Sequence, residues 1–176
     1  MMKKVFALMA ALVLSACASA AGDAGMTVTS ASASLPQVQA GSSLRNAITV
    51  GSITGGKKTL PFWKSEVGDS EFGTALKNSL GNVGLLATAG RYHLDVVLTD
   101  MDQPLIALDT TVTSTAHYSL TDNSAGRVVF DQTIKADFTA KLMDQPIGFV
   151  RLKRANEGSI RHNIELFLQA LAAASI

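Results

Sequence analysis

Three stretches in the middle of the chain alternate between apolar and polar residues. They are RYHLDVVL at 91–98, TTVTSTAHYSL at 110–120 and RVVFDQTIKADFTA at 127–140. Successive side chains of a strand point to opposite faces, so the pattern predicts antiparallel strands with one buried and one wet face. The predicted buried set is Tyr92, Leu94, Val96, Leu98, Val112, Ala116, Tyr118, Leu120, Val128, Phe130, Ile134, Ala136 and Phe138. TDNSAG at 121–126 predicts a hairpin turn.

Two other stretches repeat their apolar residues with the spacing of a helix. DSEFGTALKNSL at 69–80 is the first, with Asp69 or Ser70 as the expected N-cap. RLKRANEGSIRHNIELFLQALAAA at 151–174 closes the chain and sets a charged face against an apolar one. The apolar positions are Phe72, Leu76 and Leu80 in the first helix, and Leu152, Ile160, Ile164, Phe167, Leu168 and Leu171 in the second.

The order of the predicted elements defines a fold class. LRNAITVGSI at 44–53 predicts a strand ahead of the first helix, which gives the order β-α-β-β-β-α. An antiparallel four-stranded sheet with two helices on one face is the economical way to bury these patterns. We therefore predict a single α+β domain that runs from residue 44 to residue 176.

The first sixteen residues have the composition of a processing segment rather than of a folded one. Lys3 and Lys4 precede an unbroken apolar run from Val5 to Val13. The run is shorter than the about 20 apolar residues that a membrane-spanning helix needs. Residues 1–16 are therefore predicted to be a signal peptide.

The sequence Leu14-Ser15-Ala16-Cys17 follows this apolar run directly. It closely resembles the signals of bacterial lipoproteins. The resemblance implies that the sulfur of Cys17 takes a diacylglyceryl group, that the chain is cut before Cys17 and that the new amine is acylated, for example with palmitate. Ala18, which stands where an Asp would act as a retention signal, implies transfer to the outer membrane, with the domain on the periplasmic face.

Two alternatives for this segment stay open at the level of the sequence. Ala18-Ser19-Ala20 matches the A-x-A signal of ordinary secretion, which would release a soluble periplasmic protein. Cys17 could instead be a buried core residue of an uncleaved chain. Because it is the one cysteine of the sequence, an internal disulfide is excluded in every case.

Residues 17–43 are predicted to be the lipidated cysteine and a flexible tether. ASAAGDAGMTVTSASASLPQVQAGSS at 18–43 is rich in small residues and has no aromatic residue. Such a composition buries too little apolar surface to offset the entropy of ordering the chain. The alternative is that residues 26–28 pair as an edge strand.

Composition and motifs narrow the function classes. The net charge of +1 gives no general attraction to nucleic acid, so nucleic acid is not an expected partner. The sequence contains no G-x-S-x-G, G-x-x-x-x-G-K-[ST] or H-E-x-x-H pattern, so we expect no enzymatic activity and no cofactor. His93 and His117 lie on the predicted wet face and would form a metal site only if the register set them opposite each other. We predict no metal.

A predicted loop combines aromatic and cationic residues, and is the candidate contact site for a partner or an anionic headgroup. The alternative is that its aromatic rings cover the edge of the core while the lysines stay solvated. The residues concerned are Lys57, Lys58, Phe62, Trp63 and Lys64.

Two smaller features have structural interpretations. The tetrapeptide MDQP occurs at 101–104 and again at 143–146, where its Asp and Pro favour the ends of strands. RLKR at 151–154 places positive charge at the start of the last predicted helix, and we interpret it as ordinary surface charge. The alternative is that a partner or an anionic lipid binds it.

The predicted element order resembles that of small α+β domains in outer-membrane lipoproteins and periplasmic assembly factors, such as the N-terminal domain of TolB, CsgG, YajG-type lipoproteins and LptE. SEVGDSEFGTALKNSLGNVGLLA and RLKRANEGSIRHNIELFLQAL also resemble a family of small bacterial lipoproteins of unassigned function. These resemblances imply a lipid-anchored envelope protein that acts as a non-catalytic binding or assembly subunit. Its expected partners are the membrane, an envelope protein and further copies of itself. The alternatives are a lipid- or glycolipid-binding module in envelope transport, and a hydrolase with a nucleophile–base pair in a pocket.

Overall fold

The computed structural model describes residues 19–29, 41–59, 64–104, 107–174 and 176. Within these residues the elements are α1 (Asp23–Met26), β1 (Ile48–Thr54), α2 (Asp69–Asn82), β2 (Tyr92–Asp102), β3 (Thr110–Asp122), β4 (Arg127–Ala140) and α3 (Gly148–Ala173). The predicted α+β fold class is confirmed. In the described part of the chain, no helix is both long enough and apolar enough to cross a bilayer.

The four strands form one sheet in the order β1-β2-β3-β4. As predicted, β2 pairs antiparallel with β3, and β3 with β4. β1 instead runs parallel to β2, with Ile48 opposite Tyr92, so the sheet is mixed rather than wholly antiparallel. The connection explains the difference: α2 lies between β1 and β2 and carries the chain back to the end where β1 began, as a parallel pair requires.

One face of the sheet packs against α2 and α3. None of the described elements covers the other face, which we call the open face. The predicted buried positions of β2 and β3 are all buried. The rings of Tyr118 and Phe167 stack with their centroids 4.2 Å apart, and the Tyr118 hydroxyl donates a hydrogen bond of 2.8 Å to Oδ1 of Asn163. Burial raises the pKa of Tyr118, which therefore stays a neutral donor to α3.

One residue of the predicted buried set lies on the opposite face. Val128 in β4 is 52% exposed. The register of β3 and β4 shifts at this point, so that Leu120 faces Phe130 while the next residue, Thr121, faces Val128. The extra residue in β4 is a β-bulge, which reverses the alternation beyond it.

The start of α2 also differs from the sequence prediction. Gly68 is the N-cap, and neither Asp69 nor Ser70 fills that position. Oδ1 of Asp69 instead accepts a hydrogen bond of 2.7 Å from the amide of Gly56. The carboxylate thus ties the beginning of the loop after β1 to the first turn of α2.

Part of the predicted tether is folded. Residues 19–29 lie against α2 and α3, with Met26 and Val28 fully buried in the main core. The amide of Gly22 donates a hydrogen bond of 2.7 Å to Oε1 of Glu157, and the amide of Val28 donates one of 2.9 Å to Oγ of Ser79. The segment is therefore neither a tether nor an edge strand over these residues, because two apolar anchors and backbone hydrogen bonds offset its low hydrophobic content.

Candidate functional site

The two histidines of the open sheet face do not meet. His93 pairs with Thr121, whereas His117 pairs with Val97, four residues further along β2. That offset corresponds to about 13 Å along the strand. The register therefore separates the two imidazoles. Among the described residues, no three His, Cys, Asp or Glu side chains come together to hold a metal ion.

His117 does contact a hydroxyl and a carboxylate. Its Nδ1 lies 3.1 Å from Oγ1 of Thr133, and its Nε2 lies 3.5 Å from Oδ2 of Asp131. Thr133, His117 and Asp131 are thus arranged like the nucleophile, the base and the acid of a catalytic triad. Thr133 and Asp131 are, however, exposed on the open face of the sheet. A base raises the reactivity of a nucleophile most in a site that excludes water and orients the substrate. The flat face of the sheet does not provide such a site.

At the edge of the open face, the carboxylate of Asp95 in β2 accepts hydrogen bonds from the irregular part of β1. Its Oδ1 accepts hydrogen bonds of 2.7 Å from both the amide and the hydroxyl of Ser52. Partial burial raises the pKa of Asp95, but the hydrogen bonds from Ser52 and the neighbouring His93 outweigh it, so the net pKa is lowered. The ionised carboxylate thereby satisfies the amide of Ser52 at the point where the register of β1 and β2 shifts.

The structure places the described lysines of the candidate contact site on the loop between β1 and α2. Lys57 and Lys58 are exposed, and Nζ of Lys64 forms an ion pair of 3.3 Å with Oε1 of Glu66. The other predicted site residues, Phe62, Trp63 and Cys17, lie outside the described residues. The roles predicted for the five loop residues and for Cys17 stay predictions.

A cluster of polar residues around the buried Ser65 and Asn156 fixes the beginning of the described chain. The hydroxyl of Ser65 donates a hydrogen bond of 2.9 Å to the carbonyl of Ser19, and Nδ2 of Asn156 donates one of 2.8 Å to the carbonyl of Ser65. Nε2 of Gln103 donates one of 2.7 Å to Oδ1 of Asn156. We call these four residues the Ser65 cluster. It joins the N-terminal segment, the loop after β1, the end of β2 and α3.

The side chain of Arg151, in the first turn of α3, forms hydrogen bonds to two different connections of the chain. It is only 7% exposed. Its Nε donates to Oγ1 of Thr110 at 3.1 Å, its Nη1 to the carbonyl of Gln145 at 2.6 Å, and its Nη2 to the carbonyl of Ala107 at 3.1 Å. The guanidinium thus holds the β2–β3 connection and the β4–α3 connection together.

These connections belong to one end of the sheet, which we call the loop end: β1, β2 and β4 finish there, and β3 and α3 begin there. Three large apolar side chains are exposed at this end. Leu108 is 77% exposed, Met143 is 90% exposed and Ile147 is 53% exposed. The Ser65 cluster and the lysines of the β1–α2 loop lie at the same end.

A shallow, open groove of about 390 Å³ runs beside the first half of α3. Lys153, Arg154 and Arg161 line it together with Phe138 and Glu157. Nζ of Lys153 lies 3.7 Å from Oε1 of Glu157, while Arg154 is exposed. The groove therefore offers cations that suit an anionic group. The guanidinium of Arg161 lies 5.8 Å from the centroid of the Phe138 ring, which holds it there by a cation–π contact.

Most of these contacts leave no recognisable pattern in the amino-acid sequence. The sequence pattern placed Arg151 on the surface. Its partners include backbone carbonyls, and a sequence gives no sign of which carbonyls an arginine will contact. Asn156 lies between apolar helix positions, and a polar residue in such a place was the one available signal for burial. Nothing in the sequence around Ser65 indicates its partner, Ser19.

The fold of this chain is similar to that of two solved bacterial proteins. No family model and no curated protein matches the chain. Protein XCC0632 from Xanthomonas campestris, described with the family model DUF330, is similar with a TM-score of 0.54 and 12% identity, over 81% of this chain and 92% of that one. The hypothetical protein CT253 from Chlamydia trachomatis is similar with a TM-score of 0.50 and 6% identity, over 72% of this chain and 95% of that one. The α+β arrangement described above is thus a fold that this chain shares with small bacterial proteins.

Proposed function

We propose that the chain is a lipid-anchored protein of the bacterial envelope that acts as a non-catalytic binding or assembly subunit. Cys17 carries the lipid, and the domain stands at the periplasmic face of the outer membrane. The observation that carries the proposal is the hydrogen bond from Ser65 to the carbonyl of Ser19. It fixes the chain to the folded domain two residues after the predicted lipidation site.

An anchor so close to the domain acts as a positioning device. Acyl chains on Cys17 would confine the domain to the membrane surface, which raises its effective concentration for any other component of that surface. The resemblance of the Cys17 segment to lipoprotein signals agrees with this role.

The open face of the sheet is the proposed contact surface for an envelope protein or a second copy of the chain. It presents polar side chains from neighbouring strands, including Thr115, His117 and Lys135. The position of His117 on this face, rather than in a pocket, supports a non-catalytic role. A contact here would use hydrogen bonds across a broad, rigid surface.

Metabolic labelling tests the anchor. Cells that express the wild-type chain are grown with radioactive palmitate and compared with cells that express Cys17→Ser. We expect label in the wild-type band, no label in the variant and loss of the variant from the membrane fraction. An unlabelled wild-type band, or equal membrane fractionation of the two forms, would refute the proposal.

Site-specific photo-crosslinking tests the contact surface. A photoreactive residue at Thr115 lies on the open face, and the same residue at Thr74 lies on the exposed side of α2 as a matched control. In intact cells we expect a discrete protein adduct from position 115 and none from position 74. Equal patterns from both positions would exclude the open face as the contact surface.

A second candidate function is a lipid- or glycolipid-binding module, which the cationic groove beside α3 favours. Calorimetric titration with a soluble short-chain phosphatidylglycerol tests it at low and high salt. Binding that is weakened by salt and by Arg154→Glu, but not by Lys58→Glu, would support this function. Absence of heat at low salt would exclude it for anionic glycerophospholipids.

A further inference from the structure

We infer that the loop end of the domain rests on the bilayer surface, with Leu108, Met143 and Ile147 in contact with lipid. This inference rests on the proposed function, because it takes Cys17 as the point of attachment. It adds to that function an orientation and a second membrane contact besides the lipid anchor.

The first step is the length of chain between the lipid and the domain. Two peptide units join Cys17 to Ser19, so their Cα atoms are at most about 7.6 Å apart. The carbonyl of Ser19 is fixed by Ser65, and the amide of Ala21 donates a hydrogen bond of 3.1 Å to the carbonyl of Glu66. The membrane is therefore within reach of that part of the domain alone. A tether extending to residue 43 would have left the orientation open.

The second step is which surface adjoins this point. Ser65 and Glu66 belong to the β1–α2 loop, and Gln103, at the end of β2, donates a hydrogen bond of 3.3 Å to the carbonyl of Ser65. The β2–β3 connection leaves from Gln103 and is joined through Arg151 to the β4–α3 connection. The attachment point and the two connections with exposed apolar tips therefore lie at the same end of the sheet.

The third step is the chemistry of those tips. Leu108, Met143 and Ile147 are the large apolar side chains that the described residues of the loop end leave most exposed. At the opposite end the β3–β4 turn is formed by the polar or small residues 123–126. The exposed apolar residue next to this turn, Val128, belongs to β4 and lies on the open face of the sheet. Exposed apolar side chains at the end of the domain nearest the predicted lipidation site would be buried by contact with the bilayer, since exposed apolar surface marks interaction sites.

Charge is nearly balanced across the loop end. Its three connections carry Lys57, Lys58, Lys64 and Lys141 against Glu66, Asp109 and Asp144, four positive and three negative side chains. Attraction to anionic lipid is therefore weak, and the contact depends on apolar burial. It forms on zwitterionic vesicles and persists at high salt, where exposed charges are screened.

This orientation sets the sheet upright on the membrane. β3 has 13 residues and ends at the turn opposite the loop end, which places that turn about 40 Å from the headgroups. The open face then stands perpendicular to the bilayer, where an envelope protein or a second copy could reach it.

Depth-dependent quenching tests the inference on the lipidated full chain in phosphatidylcholine vesicles. With the thiol of Cys17 acylated, an introduced cysteine is the one free thiol. An environment-sensitive fluorophore is placed at Met143→Cys or Leu108→Cys, and at Ala125→Cys in the opposite turn as a control. All three positions are exposed. We expect nitroxide-labelled lipids to quench most of the emission at positions 143 and 108, at low and high salt, and to leave position 125 unquenched.

Flotation of the same vesicles separates the inference from the proposed function. If the chain does not float with the vesicles, the lipid anchor is absent, and both the proposed function and the proposed orientation are refuted. If it floats but the labels at 143 and 125 are quenched equally, or neither is, the orientation is wrong and the anchor stands. Quenching at 143 that salt abolishes would contradict the apolar contact.

Discussion

The hydroxyl of Ser65 and the carbonyl of Ser19 are joined by a hydrogen bond of 2.9 Å, across 46 positions of the sequence. Ser65 is fully buried, and its own carbonyl accepts from Asn156 on α3. A polar group in such a place is stable only when it is hydrogen-bonded, so the N-terminal segment is part of the fold. The position of the domain relative to the proposed anchor at Cys17 depends on this cluster.

Asn156→Ala should destabilise the protein and loosen the N-terminal segment. The substitution removes the donor to the carbonyl of Ser65 and the acceptor for Gln103, and unmade buried hydrogen bonds cost about 1–3 kcal/mol. Urea unfolding measures the loss, and hydrogen exchange at the amide of Ala21 should accelerate more than at Tyr118. Asn78→Ala, on the exposed side of α2, is the control and should stay within about 0.5 kcal/mol of wild type. Equal stability of the two variants would contradict the role of the cluster.

Gly158→Ala tests how closely α3 approaches the sheet. A Cβ at this position would lie 2.3 Å from two ring carbons of Phe138, so overpacking should cost about 1–3 kcal/mol despite the better helix propensity of alanine. Gly81 near the end of α2 is the matched control, because its Cβ would meet nothing closer than 3.8 Å. Gly81→Ala should therefore be neutral or stabilising by up to about 1 kcal/mol. Thermal unfolding of both variants checks the contrast, and stabilisation by Gly158→Ala would show that Phe138 moves aside freely.

Acid should weaken the contribution of Asp122 to stability. Nη2 and Nε of Arg91 donate to its two carboxylate oxygens at 2.5 and 3.1 Å, and the hydroxyl of Ser124 donates at 2.6 Å. These bonds, led by Arg91, hold the pKa of Asp122 well below its usual value. A carboxyl with a lowered folded pKa stabilises the protein above its unfolded pKa of about 3.9 and loses that contribution as the pH falls further.

The difference in unfolding free energy between wild type and Asp122→Asn measures this contribution. It should be constant near neutral pH and shrink as the pH is lowered below about 4, since protonation then removes in the wild type what the variant already lacks. Asp144→Asn, in an exposed turn, controls for the change in net charge. A difference that grows on acidification would show that Arg91 does not stabilise the ionised form.

The sequence predicts local geometry here much better than pairing between distant segments. Alternation identified the buried faces of β2 and β3 because the two strands pair without a shift from Tyr92 to Leu98, the stretch that the pattern covers. Val128 was misplaced because a bulge is a property of two strands together. The direction of β1 was likewise undetermined, since a strand pattern is the same in a parallel and in an antiparallel pair.

The contacts of the candidate sites were harder still to predict, for a related reason. Residues 19–29 look like a tether by composition, yet two buried side chains and a few backbone hydrogen bonds suffice to dock them. The loop end combines the N-terminal segment with three connections, namely the β1–α2 loop, the β2–β3 connection and the β4–α3 connection. Its lysines were visible as a cluster in the sequence, but the exposed Leu108, Met143 and Ile147 became a group only through the fold.

Arg151 holds that group in place, and its replacement should separate the two connections. Arg151→Met keeps much of the apolar stem but leaves the carbonyls of Ala107 and Gln145 without their charged donor, which should cost about 2–4 kcal/mol. Arg151→Lys should recover only part of this loss, because an ammonium cannot reproduce the planar fork of donors. Arg154→Met, one turn along α3 and exposed, is the control and should change stability by no more than about 0.5 kcal/mol.

Urea unfolding and hydrogen exchange at residues 107–110 and 145–148 provide the measurements for these three variants. Faster exchange should be confined to the two connections in Arg151→Lys and extend to the end of β4 in Arg151→Met, because Thr110 pairs with Ala140 there. If Arg151→Met matched Arg154→Met in both measurements, the loop end would be held by its backbone alone. The exposed apolar tips would then owe their common position to the strands that carry them, and not to the guanidinium between them.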